Sequence, residues 1–289
     1  MRALVTGSAG FVGRHMVVEL RRRGWDVQCC DIVDGLDALH VFTFERDRFD
    51  LVVHAAASSP HRAAIDSQPV HFARNVQLDA AMFDWAVRTG QGRVLYLSSS
   101  AAYPLDLQTD PKWGSLVEDA IALAAVREPD AVYGWAKVTG ERLAAAARKA
   151  GLPVTVVRPF SGYGADQTED FPFRALVERA RRREDPYTIW GDGQQVRDWI
   201  HIDDVIAGAL AVVESGTEEP VNLCTGIGTS MLDLAGMACE QVGYEPEFEF
   251  RLDRPAGVAY RVGDPSRLYQ YYKPAVTLAD GVDRALSGG

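Results

Sequence analysis

The chain has 289 residues, 47% hydrophobic and 24% charged, with 30 Lys and Arg against 40 Asp and Glu. This composition excludes the disordered, collagen-like and disulfide-scaffold classes, and a formal charge of −10 excludes a chain-wide basic footprint for nucleic acid. Four cysteines, Cys29, Cys30, Cys224 and Cys239, form no CxxC pair, so neither a metal site nor a disulfide framework is expected.

A strand is expected over 3–6, then a glycine turn, then an amphipathic helix over about 11–23 closed by Gly24. Further strands are expected over 27–32, 51–55, 94–97 and 153–157, with helices over 75–88 and 141–149 among them. The basic triplets ending at Arg23 and Arg183 fall late in helix-like stretches, where cations suit the helix dipole. Strands alternating with helices imply an α/β fold, a Rossmann-type doubly wound parallel sheet. It should occupy 1–165, with about 201–225 returning to it. A smaller mixed α/β C-terminal lobe should take 166–200 and 226–289, where glycine and proline break the pattern. No apolar run reaches the roughly 18 residues of a membrane span. The stretch before Gly7 is too short for a signal-peptide core. A reduced, cytoplasmic protein with no membrane or nucleic-acid partner is expected.

The turn TGSAGFVG over 6–13 follows a strand and opens a helix. Gly7 permits a tight turn, Gly10 lets the backbone approach a pyrophosphate, and Gly13 lets the helix pack close to the sheet. The helix N-terminus then offers N–H groups and positive potential to phosphates. Asp31, 18 residues after Gly13, ends the second strand. An acid there binds the hydroxyls of an adenosine ribose and repels a 2′-phosphate, which favours NAD over NADP. Asp34 and Asp37 are nearby competitors for that place.

Tyr133 and Lys137 stand four apart in YGWAK and share one face of a helix. A free tyrosine has a pKa of about 10, and a neighbouring ammonium with an oxidised nicotinamide ring favours the phenolate. Such a tyrosine exchanges a proton with an alcohol while hydride moves to or from the ring. The run LSSSAAYP over 97–104 places serines at the carboxyl end of a strand, the edge where open α/β sheets bind ligands.

Together these motifs resemble the extended short-chain dehydrogenase/reductases, the nucleotide-sugar epimerase/dehydratase family. The resemblance continues through DLVVHAAA over 50–57, Asn75 and Val76, RPFSGYG over 158–164, GDGQQVRDWIHIDDV over 191–205, NLCTG over 222–226 and RPAG over 254–257. It implies an NAD-binding first domain and a substrate-binding lobe. Gly7, Gly10, Phe11, Val12 and Gly13 would hold the pyrophosphate and Asp31 the ribose. Ala55, Ala56, Ala57, Asn75 and Pro159 would belong to the cofactor site, and Lys137 would also reach the nicotinamide ribose. Tyr133 would be the acid/base, Ser99 the catalytic hydroxyl and Ser100 its second. Arg197 and Arg254 would grip the substrate diphosphate, a task that suits arginine. A homodimer is expected.

Three departures bear on the reaction. The 31–50 connection is short, and the usual third strand with its adenine-contacting Asp is not recognisable. Ser100 and Ala101 stand where the family's 4,6-dehydratases carry Asp-Glu and its decarboxylases a Glu, so the second acid/base pair needed for elimination is missing there. His61 and Glu118 are the other candidates for that acid. The 104–130 segment, with Trp113, is unusually long. The expected activity is an NAD-dependent nucleotide-sugar 4-epimerase acting through a transient 4-keto sugar. An NAD(P)H-dependent 4-keto-sugar reductase is the alternative, and a non-catalytic dinucleotide sensor a third reading.

Overall fold

A computed structural model describes residues 1–58 and 70–288. The apolar runs form β1 (Arg2–Thr6), β2 (Asp26–Cys30), β3 (Leu51–His54), β4 (Arg93–Leu97) and β5 (Val154–Pro159), joined by β9 (Val221–Leu223) from far downstream. All pair in parallel in the order β2-β1-β3-β4-β5-β9. Successive side chains leave a strand on opposite faces, so each face acquires its own core. Ala3, Val5, Val53 and Leu95 pack with α1 (Phe11–Arg22) and α6 (Ile202–Ser215). Leu4, Val52, Val94 and Tyr96 face the other way, among α2 (Ala38–Phe44), α3 (Val70–Thr89) and α4 (Ala131–Lys149). This is the expected doubly wound sheet.

Its order reverses at β1, whose neighbours are β2 and β3, and that divergence opens a crevice at the carboxyl ends of the strands. From β2 to β3 the chain makes only a short 3-10 turn over Ile32–Asp34 and α2, so β2 is the edge of the sheet. The strand missing from the 31–50 sequence is missing from the fold.

Smaller sheets build the rest. β6 (Ser161–Tyr163), β10 (Gly228–Ser230) and β12 (Tyr260–Arg261) all pair with β8 (Val196–His201), β10 running antiparallel. β7 (Tyr187–Trp190) pairs with β11 (Phe248–Arg251). Helices α5 (Pro172–Arg181), α7 (Met231–Val242) and α8 (Leu278–Ser287) close a further core around Tyr187, Ile189 and Trp199. The arginine triplets lie at helix ends: Arg22 and Arg23 pair with Glu19, and Arg181 and Arg182 with Glu178. Among the described residues no helix is long and apolar enough to cross a membrane.

Candidate active site

The crevice is a cleft of about 830 Å³ whose walls include Gly7, Gly10, Phe11, Val12, Gly13, Asp31, Ala55, Ala56, Ala57 and Pro159. The glycines are there because backbones touch. A Cβ on Gly7 (φ +70°) would stand 2.6 Å from the Ala55 carbonyl, and one on Gly13 would stand 1.9 Å from the Gly7 oxygen. Helix α1 starts with no capping side chain and no acid in its first turn, which leaves its first N–H groups to an anion. Asp31 shapes the loop as well as lining the cleft: its carboxylate accepts from the amides of Ala9 and Val33, both at 3.0 Å. This cradle fits a dinucleotide: a bare helix N-terminus for the diphosphate, an acid for the ribose, and a volume within the range of ligand sites. Cys30 also lines it, but burial, with Asp31 and Asp37 adding to it, pushes its thiol up to about 12.

Sequence reasoning gave Asp37 only as a competitor of Asp31 and gave Leu36 and Arg74 no part. With no further strand between β2 and β3, all three line the cleft. Asp37 caps α2 through the Leu39 amide at 2.9 Å and accepts from Arg74 Nη2 at 2.9 Å. Asn75 does not line the cleft. It is buried, and its amide exchanges hydrogen bonds of 2.7 and 2.9 Å with the backbone of Ser58, which holds the wall that follows Ala57.

Ser99 and Tyr133 stand where this cleft meets a second chamber of about 610 Å³, and line both. Lys137 is buried beneath them. Its Nζ donates to the Leu97 carbonyl at 2.8 Å and lies 5.7 Å from the centre of the Tyr133 ring. Gly134 makes the approach possible, because a Cβ there would come within 2.3 Å of the Ala101 oxygen. Behind the serines lies a buried polar network. Ser98 donates to Glu141 at 2.6 Å, Glu141 holds Arg158 through bonds of 2.7 and 2.9 Å, and Arg158 donates to Tyr103 Oη and the Glu118 carbonyl. Ser100 opens a short 3-10 turn, is buried and lines neither chamber, so Ser99 is the serine at the junction.

The second chamber is walled by Ala101, Asp130, Glu169, Arg179, Trp190, Gln195, Arg197, Arg261 and the run Pro255, Ala256, Gly257 and Val258. Arg197, on β8, is anchored by its own strand, donating to the Val196 carbonyl at 2.8 Å. Arg254 lines neither chamber; its guanidinium lies over Trp190, 5.7 Å from the ring centre, and pairs with Asp253. The long 104–130 segment acquires a role here. Leu116 bridges to Gly263, and Gln108 accepts from Arg261 Nε at 2.5 Å, so the segment braces the chamber wall. Glu118 is part of that brace rather than an acid for elimination: buried, raised by burial above the usual carboxylate range, it accepts from the Asn222 amide and lines neither chamber. His61 lies outside the described residues.

Comparison with known proteins agrees with this geometry. Residues 3–224 match the model of the NAD dependent epimerase/dehydratase family. A dTDP-4-dehydro-6-deoxy-D-allose reductase from a Streptomyces species is 27% identical over 92% of this chain and 88% of its own. The UDP-glucose 4-epimerase of Thermotoga maritima, solved with UDP-glucose, superposes with a TM-score of 0.84 at 25% identity, covering 100% of this chain and 98% of that one. A UDP-glucuronic acid 4-epimerase variant from Bacillus cereus, solved with UDP-4-deoxy-4-fluoro-glucuronic acid and NAD, gives 0.85 at 26% identity, with the same coverage of both chains.

Proposed function

Because the chain belongs to the NAD-dependent epimerase/dehydratase family, we propose that it inverts C4 of a nucleotide sugar through a transient 4-keto sugar. NAD, when bound, supplies a hydride acceptor that can return the hydride. Tyr133 takes the proton of the C4 hydroxyl and later gives it back, and Ser99 hydrogen-bonds the same oxygen. Lys137, fixed to the Leu97 carbonyl, keeps a cation under the charge that develops on the phenol oxygen. Arg197 holds the diphosphate in the second chamber.

The observation that carries this reading is the position of Ser99 and Tyr133 at the junction of the two chambers, with Lys137 beneath; in the sequence, Ser100 and Ala101 follow Ser99 where the family's eliminating enzymes carry acids. A serine hydroxyl is a poor acid or base near neutral pH, and an alanine methyl is neither. The 4-keto reductase reading uses the same residues once per turnover and has the Streptomyces reductase in its favour.

The test is incubation with uridine, thymidine and guanosine diphosphate sugars, followed by chromatography and mass spectrometry. A product of unchanged mass and altered mobility, with NAD released on denaturation, is the expected result. Loss of about 18 mass units, one water, overturns both readings. Stoichiometric consumption of added NADH or NADPH with a 4-keto sugar replaces the epimerase by the reductase.

A further inference from the structure

The sugar end of the second chamber carries a charge pair that the proposed chemistry does not use. Asp130 directly precedes α4, one turn before Tyr133, and both residues line the chamber. Its carboxylate accepts from Arg261 Nη2 at 2.6 Å, and the two side chains are only 7% and 12% exposed. Arg261 is the register partner of Arg197 on the adjoining parallel strand, so the two side chains leave the same face of the sheet; both line the second chamber, and Arg197 lines the first cleft as well. Arg197 donates to two backbone carbonyls, its own strand's and that of Ala256. Arg261 is held by a carboxylate and by the Gln108 amide.

We propose that the Asp130–Arg261 pair makes this a site for uncharged hexoses, selecting them over hexuronic acids. The inference rests on the nucleotide-sugar reading above. A sugar whose C4 meets Tyr133 and Ser99 presents its other substituents to this stretch of wall. A hydroxyl both donates and accepts, and so satisfies a carboxylate and a guanidinium side by side. A C6 carboxylate would compete with Asp130 for Arg261, and would bring a second negative charge against the buried Asp130. The diphosphate leaves the comparison unchanged, because both classes of substrate carry it.

The experiment is calorimetric titration of the NAD-loaded protein with UDP, UDP-glucose and UDP-glucuronic acid, on the wild type, Asp130→Asn and Arg261→Met, with thermal melts to verify folding. The wild type is expected to bind UDP-glucose at least about tenfold more tightly than UDP-glucuronic acid. Asp130→Asn, which removes this negative charge from beside Arg261, should bring that ratio towards one or reverse it while UDP affinity holds. Arg261→Met should weaken UDP-glucose binding and leave UDP-glucuronic acid the poorer ligand. A wild type that binds both sugars equally or prefers the uronic acid overturns the proposal, as does an unchanged ratio in folded Asp130→Asn. If UDP and its sugars do not bind, the same pair of sugars is compared on thymidine and guanosine diphosphate; if no nucleotide sugar binds at all, the nucleotide-sugar reading falls and this inference with it, whereas a nucleotide whose sugars bind with the wrong preference overturns the inference alone.

Discussion

Lys137 Nζ donates to the carbonyl oxygen of Leu97 at 2.8 Å. That bond ties the cation under the Tyr133 ring to the end of β4, two residues before Ser99 in the chain. Tyr133 and Lys137 on one helix and the Ser99 hydroxyl beyond one strand are therefore set in a single frame. Placement of this kind accounts for much of what an active site contributes.

Tyr133→Phe is expected to lower turnover by about 10² to 10⁴-fold, the usual contribution of a positioned acid–base group. The ring stays in place, so the NAD dissociation constant should change little. Steady-state kinetics beside a cofactor titration checks both halves; a variant keeping a tenth of the wild-type rate removes Tyr133 from the role.

Gly134→Ala acts on placement alone. The new methyl would lie within 2.3 Å of the Ala101 oxygen and 2.9 Å of the Pro129 Cβ, neither of them the loose end of a flexible side chain. Helix α4 must move off the serine segment, and Tyr133 with it. Overpacking of this sort costs about 1–3 kcal/mol, and a displacement near 1 Å costs about a hundredfold in rate. Denaturant titration and kcat read the two effects separately; an unaffected kcat would mean that the helix has slack.

Arg197→Ala should raise the Michaelis constant for the nucleotide sugar by about tenfold or more, the weight of a lost charge-assisted bond, with kcat nearly kept because the diphosphate is remote from C4. Arg254→Ala should change it by less than about threefold, since that guanidinium lies over Trp190 and outside the chamber walls. Equal effects of the two substitutions would show that the chamber is shaped differently when substrate is bound.

The acid limb of stability should carry a signature of Glu19. Hydrogen bonds from Arg22, and then Arg23, hold its carboxyl at about 2 against an ordinary 4.5. A depressed carboxylate stabilises the fold fully above its unfolded pKa and loses that contribution as pH falls towards the folded one. Glu19→Gln is therefore expected to be about 1 kcal/mol less stable than wild type at neutral pH, the figure being kept low for a surface pair. The gap should narrow from pH 4.5 and close near pH 2. Melts across that range measure it; a gap independent of pH would assign the effect to packing.

The parts of the site written within one short stretch of chain were legible without coordinates. The glycine turn and the Tyr133–Lys137 spacing each express one turn or one helix face, so spacing alone fixes their geometry, and Asp31 follows β2 within the first strand–helix–strand unit. Helix α3 begins at Val70, five residues before the expected start at Asn75. Arg254 stands in a recognisable motif, yet the indole of Trp190 captures its guanidinium, and no local pattern announces that. The Asp130–Arg261 and Asp37–Arg74 pairs join residues 131 and 37 positions apart. Their partners are set by which strands and helices become neighbours, information that single-sequence periodicity does not hold.

The brace between the 104–130 segment and β12 bears on the order in which the molecule assembles. Gln108 and Arg261 close a loop of 153 residues, whereas Gly7 meets its β2 partner, Cys30, within the first βαβ unit. Closure entropy must be met before a distant contact returns anything, so contacts of high sequence separation form late. The glycine wall of the cleft is thus knit by contacts short in sequence, and the wall of the second chamber by long ones. Amides of the 104–130 segment and β12 are accordingly expected to exchange hydrogen sooner than those of β1 and β2; equal protection would mean that the long-range brace opens only with the whole fold.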